Sequence, residues 1–148
     1  MKEKSSYNNI YYNNLIDIDT KEKIEINNLI LSSFKTSRLK FYEKIVYYKI
    51  NDKIIGVAGL YFIDKYLSIN QLCTHKDYRK MGIASQLLSF ICEIYKSTAI
   101  ILYIDKNKEN TNYLYNFYIN RGFKEIDYLQ TFNLTYENDI EYLMIKDQ

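Results

Sequence analysis

The residues best suited to chemistry lie in the segment Leu72–Ser85, which reads LCTHKDYRKMGIAS. A run of β-forming residues ends there, a basic loop follows, and Gly82 stands where an amphipathic helix begins. The first turn of a helix has unpaired backbone N–H groups and the positive end of the helix dipole. Glycine at this point lets a phosphate approach the backbone, and Arg79 and Lys80 add positive charge. The segment is therefore a candidate pyrophosphate-binding loop.

The loop does not match the common nucleotide-binding motifs. The GxxxxGK pattern of P-loop proteins is absent, and so is the GxGxxG pattern of dinucleotide-binding proteins. A simpler interpretation therefore stays open at this point. In that interpretation Gly82 only eases a turn from strand to helix, and the basic side chains of the loop are solvated.

A second pattern follows after an apolar strand, with three residues between Tyr118 and the pair Gly122-Phe123. The segment 79–84, RKMGIA, resembles the Q/R-x-x-G-x-G/A signature of the GNAT superfamily of N-acetyltransferases. The Tyr118 pattern resembles the ending of that family's second motif. Two patterns in the family's order are more specific than either pattern alone. The resemblance spans roughly residues 44 to 146, and the first third matches only in its order of strand and helix.

The resemblance implies direct transfer of an acetyl group from acetyl-CoA, as cosubstrate, to a primary amine, with no metal. The backbone of Leu72, Cys73 and Thr74 would pair with the pantetheine arm, and one of these amides would polarise the thioester carbonyl. Arg79 would begin the loop that holds the pyrophosphate. The amides implied in holding it belong to Lys80, Met81, Gly82, Ile83, Ala84 and Ser85.

The resemblance also places Tyr118 at the position of the general acid, which protonates the departing thiolate. A phenol of pKa about 10 and a thiol of pKa about 8.5 exchange a proton at modest cost. Because the chain has 17 Tyr, an apolar helical position also fits a plain core role for Tyr118. The family often has a CoA-contacting Asn seven residues earlier. Here that position is Thr111, with Asn110 and Asn112 on either side as the alternatives.

The sequence leaves the general base open. Some relatives have a carboxylate on the fourth strand, where this chain has Ser68, Asn70 and Gln71. A base that acts through a water molecule is one alternative. Asp105 and Glu109, at the end of the fifth strand, are weaker candidates for the same role.

The remaining reactive side chains have ordinary interpretations. The only histidine, His75, is expected to be an exposed loop residue. Cys73 has no His or acid partner at an informative spacing, so an inert buried thiol is expected, and Cys92 is expected in the core.

The elements that must position these residues alternate between strand and helix patterns. Strands are predicted at 10–18, 44–50, 53–62, 66–74, 98–104, 123–134 and 140–145, and helices at 21–34, 83–95 and 109–121. Thr20 is the predicted N-cap of the first helix, Asn51-Asp52 the turn of a hairpin, and Gly122 the C-terminal stop of the third helix. The order is mixed α/β. The resemblance implies a GNAT-like acyl-CoA N-acyltransferase fold, a central mixed sheet of six or seven strands flanked by about four helices.

Length and composition limit the class of protein. The 148 residues predict a single domain, residues 1–148, and the formal net charge of +2 is too small for a nucleic-acid binder. No segment approaches the ~18 apolar residues of a membrane span, and no secretion signal is evident. With 2 Cys and no Cys/His cluster, neither a disulfide scaffold nor a metal site is predicted. A cytoplasmic monomer or homodimer is expected.

The acceptor is left open by the sequence. It would be set by residues 20–43 and by the loop at 135–139. Asp and Glu in both places suit a cationic amine, such as a polyamine, an amino sugar or a peptide amine. The missing base keeps a second hypothesis open, a catalytically silent GNAT fold that binds CoA or a protein partner.

Overall fold

The computed structural model describes residues 7–126 and 141–148, and its architecture is mixed α/β, as the sequence predicts. The strands are β1 Ile10–Asn14, β2 Lys44–Ile50, β3 Lys53–Ile63, β4 Tyr66–Thr74, β5 Ile100–Asp105, β6 Lys124–Glu125 and β7 Glu141–Lys146. The helices are α1 Thr20–Ser33, α2 Ile83–Ile94 and α3 Thr111–Ile119. The described residues thus contain three α-helices and three short 3₁₀ turns, where the resemblance implies about four helices.

The seven strands of the described residues join in one sheet of order β1-β2-β3-β4-β5-β7-β6. β4 and β5 are parallel and are connected through α2, while the other neighbours are antiparallel. Alternate residues of a strand face opposite sides of the sheet. Val46 and Tyr48 of β2 pack in the cluster that contains α2, whereas Ile45 and Tyr47 pack in the cluster that contains α1. The sheet therefore lies between α1 on one face and α2 on the other.

The amino-terminal region differs from the prediction in its details. The strand predicted to run to residue 18 ends at Asn14, and a 3₁₀ turn covers Leu15–Asp17. The prediction of Thr20 as N-cap is wrong. Asp19 caps α1, because its side chain accepts a hydrogen bond of 2.8 Å from the Glu22 N–H.

The predicted hairpin between β2 and β3 is confirmed. Asn51 and Asp52 form its two-residue turn, with φ angles of 51° and 64°. Two successive left-handed residues are the requirement of a type I′ turn, which explains why Asn and Asp stand there.

The end of α3 is also as predicted and has a direct effect on Tyr118. Gly122 has a φ of 92°, and its N–H donates to the Ile119 carbonyl at 3.1 Å. The Phe123 N–H donates to the Tyr118 carbonyl at 3.1 Å, which completes a Schellman motif. The ring centroids of Tyr118 and Phe123 are 5.5 Å apart. This helix end therefore fixes the orientation of the Tyr118 ring.

The carboxyl-terminal strands are β6 and β7, and β7 pairs with β5 along its whole length. The rest of the strand predicted at 123–134 and the loop predicted at 135–139 lie outside the described residues. Within residues 7–126 and 141–148, no helix has the length and apolar character that crossing a membrane requires.

Candidate active site

A cleft of about 1030 Å³ lies between the β4–α2 loop and α3. It collects most of the residues that the family resemblance relates to acetyl-CoA: Leu72, Cys73, Thr74, Arg79, Lys80, Gly82, Ile83, Ala84, Ser85 and Asn110. Tyr118 lines the same cleft. Two predicted residues are not among its lining residues, Met81, whose side chain is 58% exposed, and Asn112, which is exposed on the first turn of α3.

The start of α2 offers donors for an anion. Gly82 has a left-handed φ of 78°, and an added Cβ there would meet no atom within 4 Å. The first helical hydrogen bond runs from the Gln86 N–H to the Gly82 carbonyl at 3.0 Å, and Gly82 has no side chain to cap the helix. The N–H groups of residues 83–85 therefore have no partner within the helix. These donors, at the positive end of α2, fit a pyrophosphate.

Arg79 and His75 stabilise the conformation of the loop. Arg79 Nε donates to the Thr74 carbonyl at 3.2 Å, and Nη2 donates to Ser33 Oγ at 3.5 Å, which ties the loop to β4 and α1. His75 Nδ1 accepts a hydrogen bond of 3.1 Å from the Asp77 N–H. His75 lies in the loop as predicted, but its side chain is only 25% exposed, and it lines neither cavity.

β4 is distorted where it borders the cleft. Its residues Gln71 and Leu72 together oppose the single residue Ala58 of β3, which makes a β-bulge, and Gln71 has a φ of 50°. On its other side β4 pairs with β5 only at residues 67–68. The two parallel strands then separate, so that the backbone of residues 69–74 has no ladder with β5. This gap is where an extended ligand would find free backbone groups.

A second cavity, of about 540 Å³, meets the first one in this gap. The two cavities share the lining residues Phe34, Leu72, Lys108, Leu114 and Tyr118. Above the junction, Lys108 Nζ lies 4.9 Å from the ring centroid of Phe34. Two ligands bound in the two cavities would therefore meet beside Tyr118.

Tyr118 is both a packed residue and a cavity residue. Its side chain is 8% exposed, and its ring lies edge-on to Phe117 and Phe123 at centroid distances of 5.1 and 5.5 Å. Burial raises the pKa of Tyr118 above its ordinary value of 10.0, and the nearby Arg121 has a smaller, opposite effect. The hydroxyl is therefore protonated at neutral pH and suits a proton donor. The two interpretations of Tyr118 are compatible.

The second cavity contains two carboxylates. Asp105 at the end of β5 and Glu141 at the start of β7 are register partners, and both line this cavity. Directly paired residues have neighbouring side chains. Glu109 lines neither cavity, and Ser68 is completely buried under a 2.8 Å hydrogen bond from Asn70 Nδ2. Of the two carboxylate candidates that the sequence leaves open, only Asp105 lines the cavity that Tyr118 also lines. Sequence reasoning missed Glu141, since only the β5–β7 register relates it to Asp105.

Gln71 joins the bulge to the loop that follows α1. Its Oε1 accepts hydrogen bonds from the Arg38 N–H at 3.0 Å and from the Tyr42 hydroxyl at 2.6 Å. Its Nε2 donates to the Thr36 carbonyl at 2.8 Å. Arg38 lines the second cavity, so Gln71 positions one wall of that cavity.

The two thiols agree with their predicted inert roles. Cys73 is 7% exposed, and burial raises its pKa to about 12, although Ser33 and Arg79 act in the opposite direction. Cys92, which is expected in the core, is only partly buried against it, and burial raises its pKa as well. A thiol with a raised pKa is a poor nucleophile at neutral pH, because little of it is thiolate.

One face of α3 and its C-terminal end form a wall of the cleft that the sequence analysis did not identify. The lining residues on it are Tyr113, Leu114, Asn116, Phe117, Asn120 and Arg121. Asn116, Phe117 and Asn120 lie three, four and seven residues after Tyr113, so they share one side of the helix. This spacing is the sequence signal for the wall, once Tyr118 is related to the same site.

The cleft, the β4–α2 loop and the strand order can be compared with those of known proteins. A sequence model described as the acetyltransferase (GNAT) family matches residues 12–131. No curated protein sequence gives a significant match.

Solved structures share the fold at low sequence identity. Naa50 of Arabidopsis thaliana, in complex with the bisubstrate analogue CoA-Ac-MVNAL, has a TM-score of 0.69 at 22% identity, and the match covers 95% of this chain and 99% of that chain. PaiA N-acetyltransferase of Thermoplasma acidophilum, in complex with coenzyme A, has a TM-score of 0.68 at 14% identity, covering 94% and 99%. An aminoglycoside 6′-N-acetyltransferase complexed with coenzyme A has a TM-score of 0.71 at 14% identity, covering 92% and 96%.

Proposed function

The chain belongs to the GNAT family of acetyltransferases, and we propose that it transfers the acetyl group of acetyl-CoA directly to a primary amine. The observation that carries the proposal is the junction of the two cavities beside Tyr118 and Leu72. The larger cavity would hold acetyl-CoA, and the smaller one would hold the amine. Acetyl-CoA supplies an activated acyl group when it is bound.

The larger cavity fits acetyl-CoA in its donors and its shape. The N–H groups of Ile83, Ala84 and Ser85 have no partner within α2 and lie at its positive end, which suits the pyrophosphate. The backbone of residues 72–74 borders the gap between β4 and β5, which suits the pantetheine arm. One N–H in this stretch would donate to the thioester carbonyl and stabilise the negative charge that develops there.

Tyr118 is the proposed general acid. It lines both cavities at their junction, and its raised pKa keeps the proton on its hydroxyl. Its proton would pass to the sulfur as the thiol departs. The Schellman motif at Gly122 and the packing against Phe123 keep the ring in place for this transfer.

Asp105 is the proposed base. It lines the acceptor cavity together with Glu141, so an incoming ammonium would meet two neighbouring carboxylates. The ammonium would first be held by both carboxylates. One of them would then accept a proton from it, directly or through a water molecule, which leaves the neutral amine that attacks the thioester. Both signs of charge occur around this cavity, because Arg38 and Lys108 also line it.

The test is release of thiol from acetyl-CoA by the purified chain over a panel of amines. The panel contains a polyamine, an amino sugar, an amino acid amide and a peptide with a free amino terminus. We expect thiol release that depends on one class of amine, with the acetylated amine identified by mass spectrometry. Binding of CoA without turnover on any amine would instead support the silent, CoA-binding alternative. Absence of CoA binding would contradict both.

A further inference from the structure

Arg121 is held in a fixed position at the edge of the larger cavity. Its Nε and Nη2 donate to Ser85 Oγ at 3.4 and 3.2 Å, and its Nη1 donates to the Phe117 carbonyl at 3.0 Å. The guanidinium carbon lies 3.7 Å from the centroid of the Phe117 ring. These contacts fix the plane of the guanidinium and place it beside the first turn of α2.

The charge of Arg121 has no carboxylate at ion-pair distance within residues 7–126 and 141–148, where the ion pairs involve other side chains. A guanidinium has about five N–H donors, and the three hydrogen bonds above leave two of them available. The oxygen of Ser85 acts as the acceptor toward Arg121, so its hydroxyl proton is free to be donated elsewhere. Two side chains in contact thus offer hydrogen-bond donors that have no acceptor among the described residues.

These donors lie next to others of the same kind. Ser85 is the third residue of α2, where the backbone N–H groups also lack a helical partner, and both Ser85 and Arg121 line the larger cavity. A planar guanidinium with a pair of free N–H groups matches the geometry of two phosphate oxygens. The position is therefore built for a phosphate group and not for the pantetheine arm.

We propose that Arg121, together with the hydroxyl of Ser85, binds a phosphate group of the nucleotide half of CoA. The inference rests on the proposed function, because it takes CoA as the ligand of the larger cavity. It adds a binding residue that follows the end of α3 to a site that the sequence relates to the β4–α2 loop. Both the pyrophosphate and the 3′-phosphate have the required chemistry, and the experiment distinguishes them.

The experiment is calorimetric titration of the wild type and Arg121→Gln with CoA, 3′-dephospho-CoA and pantetheine. Loss of a charged hydrogen-bonding partner should raise the dissociation constant for CoA by about tenfold or more. If Arg121→Gln loses as much affinity for dephospho-CoA as for CoA, the partner of Arg121 is the pyrophosphate. If Arg121→Gln and the wild type bind dephospho-CoA equally well, the partner is the 3′-phosphate. Pantetheine, which has no phosphate, should bind both proteins equally.

Two further variants keep a structural effect separate from a binding effect. Arg121→Lys keeps the charge but not the planar fork, so it should recover only part of the CoA affinity. Ser85→Ala should lower the affinity for CoA by a smaller factor than Arg121→Gln. This effect should shrink in the Arg121→Gln background, because the two side chains act together. Lys124→Gln removes a cation outside the cleft and is the matched control, with CoA affinity unchanged.

The outcomes separate the two proposals. If the wild type binds CoA and Arg121→Gln binds it equally well, the inference is overturned and the proposed function stands. An equal loss of affinity for CoA and for pantetheine also overturns it, since that result indicates a distorted cleft. If the wild type does not bind CoA at all, the proposed function fails and this inference fails with it.

Discussion

At the scale of single residues, the proposed chemistry depends on how burial changes the acidity of side chains. Tyr118 and Cys73 are both buried, and both have raised pKa values. For Tyr118 the shift keeps a proton available to a departing thiolate, whereas for Cys73 it suppresses the thiolate that a covalent mechanism would need. Burial therefore leaves Tyr118 protonated, as a proton donor must be, although the raised pKa makes it a weaker acid than a free phenol. The same effect makes Cys73 a poor nucleophile at neutral pH.

The role of Tyr118 predicts a loss of turnover without a loss of CoA affinity. Tyr118→Phe removes the proton donor but keeps the packing against Phe123, so kcat should fall by about 10²- to 10⁴-fold. Because burial raises the pKa above 10.0, the part of the pH–rate profile that reports deprotonation of Tyr118 should lie above pH 10.0 in the wild type. Steady-state kinetics and CoA titration measure these two effects.

The matched control for Tyr118→Phe is Tyr95→Phe. Tyr95 follows the last residue of α2, at the opposite end from Gly82, and its hydroxyl is hydrogen-bonded to that of Tyr12. Its loss should leave kcat unchanged. Equal turnover of Tyr118→Phe and the wild type would remove Tyr118 from the mechanism.

For Cys73 the prediction is that substitution leaves turnover nearly unchanged, in contrast to Tyr118. Cys73→Ala should keep turnover within a few-fold of the wild type, because a buried thiol of pKa about 12 takes no part in acyl transfer. The variant should lose about 1 kcal/mol of stability, since the side chain packs in the α1 cluster. Thiol-release assays and thermal unfolding give both numbers. Complete loss of activity in a folded variant would instead indicate an acetylated cysteine.

At the scale of elements, backbone conformation decides where ligands approach. The bulge at Gln71, the gap between β4 and β5, and the left-handed Gly82 are all backbone features, and each borders a cavity. Each also departs from a regular strand or helix. The site thus lies where the regular hydrogen-bond ladders of the fold stop, which leaves N–H and C=O groups available for a ligand.

Gly82 gives the first prediction at this scale. Gly82→Val places a β-branched residue at a φ of 78°, and its side chain would extend into the open cleft. CoA affinity should fall about tenfold or more as the approach to the α2 amides is blocked. Titration of the folded variant with CoA measures the loss.

The control for backbone strain is Asp64→Val. Asp64 also has a left-handed φ, 54°, but it lies in the exposed turn between β3 and β4. Its substitution should lower stability and leave CoA affinity unchanged. If Gly82→Val binds CoA as well as Asp64→Val does, the pyrophosphate does not lie at Gly82.

Gly59 gives a second prediction, one of packing. A Cβ at Gly59 would overlap atoms of the Tyr42 ring, and Tyr42 is buried, so the ring has little room to move. Gly59→Ala should therefore cost about 1–3 kcal/mol through overpacking. Thermal unfolding measures this cost. In the Tyr42→Ala background the same substitution should cost less, and an equal cost in both backgrounds would contradict the contact.

The sequence predicts those parts of the site whose causes are local. The strand, loop and helix of residues 66–94 follow from hydrophobic period and from Gly82, and the end of α3 follows from Gly122. The sequence places the cap of α1 one residue late, at Thr20, because Asp19 and Thr20 are both good caps and only the structure selects between them. The bulge at Gln71 and the pairing of Asp105 with Glu141 depend on register between strands, which no local pattern specifies.

At the scale of the whole molecule, the fold brings two cavities together at one point. The C-cap of α1, strand β4 and helix α3 are far apart in sequence. They supply Phe34, Leu72 and Tyr118 to the shared wall. A ligand in each cavity would have its reacting group at this junction, and holding two reactants in contact lowers the entropic cost of their reaction. The architecture therefore favours direct transfer between two substrates bound at the same time.

Direct transfer makes a kinetic prediction for the complete molecule. When acetyl-CoA and the best amine of the panel are varied together, double-reciprocal plots should intersect, because both substrates must be bound before either product leaves. Mass spectrometry of the protein after exposure to acetyl-CoA alone should detect no acetylated form. Parallel plots with an acetylated protein would show a covalent intermediate. Peptide mapping of the acetylated protein would then identify the carrier, and Cys73, whose buried thiol has a raised pKa, is not expected to be that residue.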